Sequence, residues 1–174
     1  RSPHKPLLLL SVVDLFAQGG ITTNLIELTT DLADLFDLYC RQVMPLDWRC
    51  NIAMPFFHLS REDFWHLVPL PGKEPIIESG RQLRSVSLLA DTVRGAQLDD
   101  DLYTLMCMEE SRSVLRAALI EPYFSSGAQE RLVEQSTINA EAFKYSKLLL
   151  ERARQEIKEA LEGEREYQPP VRDQ

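Results

Sequence analysis

What is scarce in this sequence narrows its reading before any motif does. Cysteine is scarce: Cys40, Cys50 and Cys107 are odd in number and lack a short paired spacing, so neither a disulfide framework nor a zinc site is indicated. A reducing cytoplasm is the simplest setting for such a chain. Long apolar runs are missing too, since Leu7 to Val13 falls well short of the roughly 18 residues that open a membrane span. A glycine-rich phosphate loop and a nucleophile elbow are both absent, which leaves nucleotide and acyl-transfer chemistry without a foothold. Positive charge is in deficit: 19 Lys and Arg stand against 27 Asp and Glu, a net charge of -8 that taken alone argues against a nucleic-acid partner.

The distribution of charge softens that exclusion. Residues 1–90 hold 8 basic against 10 acidic side chains, net -2, and residues 91–174 hold 11 against 17, net -6, which together restore -8. All three histidines, His4, His58 and His66, also fall in the first part. A basic surface there is compatible with acidic helices elsewhere.

Of the 174 residues, 44% are hydrophobic, enough to build the core of one compact domain with an extension. The chain opens on Arg1 and closes on the polar Val171-Arg172-Asp173-Gln174, as expected of a fragment of a longer protein. Its organising stretch is Ser2-Pro3-His4-Lys5-Pro6-Leu7-Leu8-Leu9-Leu10. Ser2 suits a helix N-cap, Pro3 the first helical position, and Pro6 is early enough to need no intrahelical donor. The charges do not suit that position, because a helix N-terminus favours anions and this one carries His4 and Lys5 after Arg1. An external anion, most simply a phosphate, would resolve the conflict by docking on the free N–H groups. The competing reading is that Lys5 merely extends its stem along the surface and His4 caps a neighbouring loop.

The first helix is expected from Pro3 to Gln18, with Leu9, Val12, Val13 and Phe16 on one face and Gly19-Gly20 at its end. Ile21 to Leu28 suits either a short strand or a helical turn. Thr29 or Thr30 caps a second helix over Asp31 to Val43, closed by Pro45. Asn51-Ile52-Ala53-Met54-Pro55-Phe56-Phe57-His58-Leu59, a polar turn and Phe64-Trp65-His66-Leu67-Val68 are aromatic and extended in character, and together predict a β-hairpin whose Pro55 sits at a sheet edge. Pro69, Pro71, Gly72 and Pro75 make a stiff loop. From there the pattern is helical throughout: about Gly80–Leu89, Asp99–Met108, Glu109–Ile120, and a long segment from Ser126 to Leu161 stopped by Gly163. Phe143, Leu150, Ile157 and Leu161 give that last helix one apolar stripe, and residues 164–174 have the composition of a linker. The class is therefore a predominantly helical α+β fold with a small hairpin sheet.

Chemistry has one weak candidate. His58, Asp63 and His66 straddle a turn and could share a metal, but unrelated surface histidines are the commoner outcome, so no catalytic residue, metal ligand or cofactor is assigned. Asp99-Asp100-Asp101 opens a helix, where acidic charge suits the dipole without any ligand.

Two segments together, Ser2 to Leu10 and Asn51 to Leu59 followed by Phe64-Trp65-His66-Leu67, resemble the sulfur-binding domain of phosphorothioate-dependent restriction endonucleases of the HNH type. Gln82-Leu83-Arg84, Leu98 to Leu102, Glu110 to Arg116 and Leu119 to Phe124 resemble its helical continuation, and Pro170 to Gln174 the segment ahead of its nuclease domain. The resemblance implies a recognition core over residues 1–124, a helical extension over 125–163 and a linker over 164–174 towards a nuclease domain that this chain does not include. It implies binding of double-stranded DNA in which sulfur replaces a non-bridging phosphate oxygen, without cofactor, membrane or catalysis. By the same resemblance Met54, Pro55, Phe56 and His58 form a shallow apolar pocket for sulfur, although Met54 stands where the family often has an aromatic residue. His4 and Lys5, with Ser2 beside them, would hold the remaining phosphate oxygens, and Arg81 or Arg84 would reach a base edge or phosphate. The rival reading is a protein-interaction module in which Leu-rich helices, the long final one above all, pair two copies into a homodimer.

Overall fold

The computed structural model describes residues 2–167 and 169–171; Arg1, Gln168 and the end of the expected linker, Arg172 to Gln174, lie outside them. Its centre is α1, His4–Ala17, in which Pro6 to Phe16 are buried without interruption. The expected single apolar face is therefore a helix enclosed on all sides, as its unbroken Leu and Val content permits. Asp14 is buried with it, and its carboxylate is fully engaged. Tyr39 donates its hydroxyl to Oδ2, Asn139 Nδ2 donates to the same oxygen at 3.1 Å, and Arg116 donates to Oδ1 at 3.1 Å. Burial together with the Asp14 charge pushes the Tyr39 hydroxyl far above its ordinary value.

Around α1 the chain lays α2, Thr30–Val43, begun by the Thr29 hydroxyl accepting from Leu32 N at 3.2 Å. Then come α3, Ala53–His58, a 3₁₀ turn over Leu59–Arg61, and β1, Trp65–Pro69. Two short helices, α4 Glu74–Glu78 and α5 Val86–Thr92, lead into β2, Val93–Leu98. The series ends with α6 Asp100–Met106, α7 Glu109–Ile120 and α8 Ser126–Glu166. The predominantly helical α+β class, with a small sheet and a long final helix, is what the structure shows.

Several local expectations are corrected. The stretch Asn51 to Leu59 is built around the helix α3, Ala53–His58, and is not the first strand of a hairpin. Pro55 is its third residue, where no intrahelical donor is required, and the Asn51 side chain accepts from Ala53 N at 3.0 Å. The strand that does form, β1, pairs antiparallel with β2, Trp65 opposite Leu98 and His66 opposite Gln97. That second strand falls in a stretch expected to be helical. Ile26 bridges its Ala96, and Asn24 clasps Leu98 from both sides, donating to its O at 2.7 Å and accepting from its N at 2.9 Å. Gly95 is required there, since a Cβ would meet Ile26 O at 2.3 Å. The expected helix at Gly80–Leu89 forms only from Val86, as the start of α5, while α4 falls inside the stretch expected to be a stiff loop and ends just before Gly80, which has φ of +72°. Gly163 does not stop α8, because one glycine costs a helix only about 1 kcal/mol. Cys40 and Cys50 form a disulfide, with Cα atoms 6.5 Å apart, against the expectation of free thiols. The end of α2 and the loop returning to α3 bring them together, a closeness that ten residues of unpatterned separation do not announce.

The chain divides into two compact units, residues 2–139 and 140–171. The first holds both strands and the whole core. The second is the outer part of α8, whose Leu148, Leu149, Leu150, Ile157 and Leu161 are exposed. Among the described residues no helix is long and apolar enough to cross a membrane.

Candidate nucleic-acid interface

Both segments singled out in the sequence are short proline-bearing helix starts, and the fold puts them on one cavity of about 970 Å³ within the first unit. From α1 come Ser2, His4, Lys5, Pro6 and Leu9; from α3 come Met54, Pro55 and His58. The opposite wall is apolar and supplied by α6 and α7 through Leu102, Met106, Leu115 and Leu119. Trp65 fixes α3 in this position, donating from Nε1 to Phe56 O at 3.0 Å while the two rings meet edge to face at 5.1 Å.

Six of the nine residues expected at the site, Ser2, His4, Lys5, Met54, Pro55 and His58, thus share a wall. Phe56 does not, because its ring is fully buried against Trp65 on the far side of α3, where it positions the neighbours that do line the cavity. Arg84 is outside the lining but is drawn close, since Asn51 Nδ2 donates to its carbonyl at 2.8 Å and its charge reaches His58. Arg81 is exposed at the start of the same loop, with no role in the cavity wall.

The helix tip departs from the sequence reading in its detail. Pro3, not Ser2, occupies the N-cap; the Ser2 hydroxyl is 2.7 Å from His4 Nδ1 instead. Lys5 does not wait for an external anion, for its Nζ donates to Glu62 Oε1 at 2.6 Å. From the sequence Arg61 and Glu62 are expected only in a polar turn, and neither they nor Trp48 and Arg49, which also line the cavity, are expected at the site. An exposed Trp-Arg pair in a loop is the available signal for two of them; the wall from α6 and α7 has none, because it lies far from both expected segments in sequence.

The electrostatics of the cavity invert those of the chain. Lys5, Arg49 and Arg61 face it with Glu62 as the one carboxylate among the described lining residues, a local balance of three minus one, or +2. Burial first, and then the charges of Arg61, Lys5 and Arg84, hold the His58 imidazole below its ordinary value. Burial does the same for His4. His58 Nδ1 is buried with no hydrogen-bond partner among the described residues, so an idle ring nitrogen sits beside Met54 and Pro55 on the α3 side of the cavity. His66 is not among the lining residues and pairs with Asp99 at 2.6 Å. No cluster of three metal-ligating side chains occurs among the described residues.

A cavity with an apolar floor and a cationic rim suits one anionic group carrying an apolar or polarisable part. The family comparison agrees. Residues 1–141 match the model of the ScoMcrA-like DNA sulfur-binding domain, and the chain belongs to that family. It is a DNA-binding module by descent, and the cavity lies wholly inside the matched region. No curated protein matches the chain.

Proposed function

We propose that this chain binds double-stranded DNA in which sulfur has replaced a non-bridging phosphate oxygen, and that it serves as the recognition module of a modification-dependent restriction endonuclease of the HNH type acting in the cytoplasm. The observation that carries the reading is the meeting of Met54, Pro55 and His58 with the His4–Lys5 tip on one cavity. Sulfur is larger and more polarisable than oxygen and a poorer hydrogen-bond acceptor, so it loses little when water is stripped from it against Pro55 and Met54. An ordinary phosphate oxygen in the same seat loses its water without replacement, at about 1–3 kcal/mol when unsatisfied. Selectivity thus arises from what the seat fails to offer oxygen. Around it Lys5, Arg49 and Arg61 supply the charge that any phosphate backbone requires, which positions the duplex without reading its sequence. Arg84 and Arg81, on the adjoining loop, are the side chains available for a neighbouring phosphate or base edge.

A mobility-shift comparison of two duplexes differing only in that single atom tests the reading. The modified duplex is expected to shift at a protein concentration lower by about tenfold or more, with both duplexes left uncut when a divalent metal is added. Equal shifts at moderate salt overturn the sulfur assignment. The exposed Leu148, Leu149, Leu150, Ile157 and Leu161 of the second unit favour one additional reading, a homodimer formed through that helix. Light scattering of the free protein at the monomer mass dismisses it.

A further inference from the structure

Among the described residues Glu62 is the one acidic side chain on a cavity rim that otherwise favours anions. Its backbone is held on both sides, donating to Leu59 O at 2.9 Å and accepting from Trp65 N at 3.4 Å. From this fixed point between the 3₁₀ turn and β1 its carboxylate reaches Lys5, 57 residues away, at 2.6 Å. Neither stability nor affinity explains its presence. The two side chains are 32% and 44% exposed, and pairs so exposed contribute little to folding. A carboxylate at the mouth also repels every phosphate equally, modified or not.

Resting on the sulfur reading above, we infer that Glu62 is a positioning residue that sets selectivity by holding the Lys5 ammonium out of the apolar seat. Lys5 lines the same cavity as Met54 and Pro55 and carries three donors on a flexible stem. Unheld, it follows an ordinary phosphate oxygen into the seat and supplies the hydrogen bond whose absence rejects that oxygen. Sulfur gains far less from such a donor. Glu62 therefore withholds a rescue that only the unmodified duplex needs, and its own repulsion, common to both duplexes, cancels in their ratio.

The test is Glu62→Gln in the whole chain, with matched phosphorothioate and unmodified duplexes at one salt concentration and circular dichroism to verify the fold. Affinity for the unmodified duplex is expected to rise about tenfold and the modified-to-unmodified ratio to fall about fivefold or more, in keeping with the cost of one unsatisfied group. In a Lys5→Ala background the same substitution should leave the ratio where Lys5→Ala alone puts it. Two results overturn the inference while the sulfur reading stands: an unchanged ratio, whether neither affinity moves or both gain equally, or a fall in the ratio that persists without Lys5. A wild-type protein that binds both duplexes equally removes the sulfur reading itself.

Discussion

Lys5, Met54 and His58 carry most of the account, and each makes a different demand. Lys5 is a point charge at the rim, so Lys5→Ala should weaken binding to every duplex and make the salt dependence shallower by roughly one unit, with the fold intact. Unaltered binding across a salt titration would return Lys5 to the role of partner for Glu62. Met54 tests the seat instead. Met54→Gln or Met54→Lys places a polar donor beside the sulfur position, and the ratio of modified to unmodified affinity should fall about tenfold. An unchanged ratio in both folded variants would remove Met54 from the seat. His58 makes a prediction about pH. Its folded-state value lies below the ordinary 6.5, so on acidification the unfolded chain takes up the proton first. The stability contributed by its neutral form is complete above that value and is lost as pH falls from about 6.5 towards the lower folded value, in the same direction as the contribution of His4. Thermal unfolding from pH 8 to pH 5 should show a smaller acid loss in His58→Gln than in the wild type; equal losses would contradict the assignment.

At the scale of elements, what could be seen in the sequence was set by how local each cause is. Thr29 with the periodic Leu32, Leu35, Phe36 and Tyr39 announces α2, because a cap and a stripe lie within one segment. The aromatic residues and Pro55 of the site helix α3 have the composition of a strand, and only its third-residue position makes the proline harmless. β2 has no local signal, because Arg94 and Gly95 are poor strand formers and the strand is imposed from outside by β1, Ile26 and Asn24. Gly95→Ala should therefore destabilise the protein by about 1–3 kcal/mol or more, since the Cβ meets backbone rather than a movable side chain. Gly127→Ala, whose Cβ would rest 3.5 Å from Arg131, should be neutral or better; similar melting temperatures for the two variants would contradict that picture. The disulfide was invisible for the same reason as β2. It closes the loop carrying Trp48 and Arg49, and reducing it should lower unfolding free energy by up to about 3 kcal/mol in the chain-entropy model. Chemical denaturation with and without reductant measures that loss, and a Cys40→Ser variant should not respond to reductant.

For the whole molecule, the difficulty in the sequence was its net charge of -8, which argues against nucleic acid when averaged over the chain. The fold removes the difficulty by sorting charge. Lys5, Arg49 and Arg61 gather on one cavity from segments far apart, while acidic side chains such as Asp100, Asp101, Glu109 and Glu110 open α6 and α7, where they suit the helix dipoles. The same sorting separates two contributions to binding: a charged rim that treats all duplexes alike and an uncharged seat that distinguishes sulfur from oxygen. Salt acts on the first and hardly at all on the second. The most direct measurement is therefore the dissociation constant for matched phosphorothioate and unmodified duplexes, titrated across a series of salt concentrations. Both constants should weaken steeply as salt rises while their ratio stays well above one and nearly constant. A ratio of one throughout, or one that decays to unity with salt, would contradict recognition of sulfur by an apolar seat.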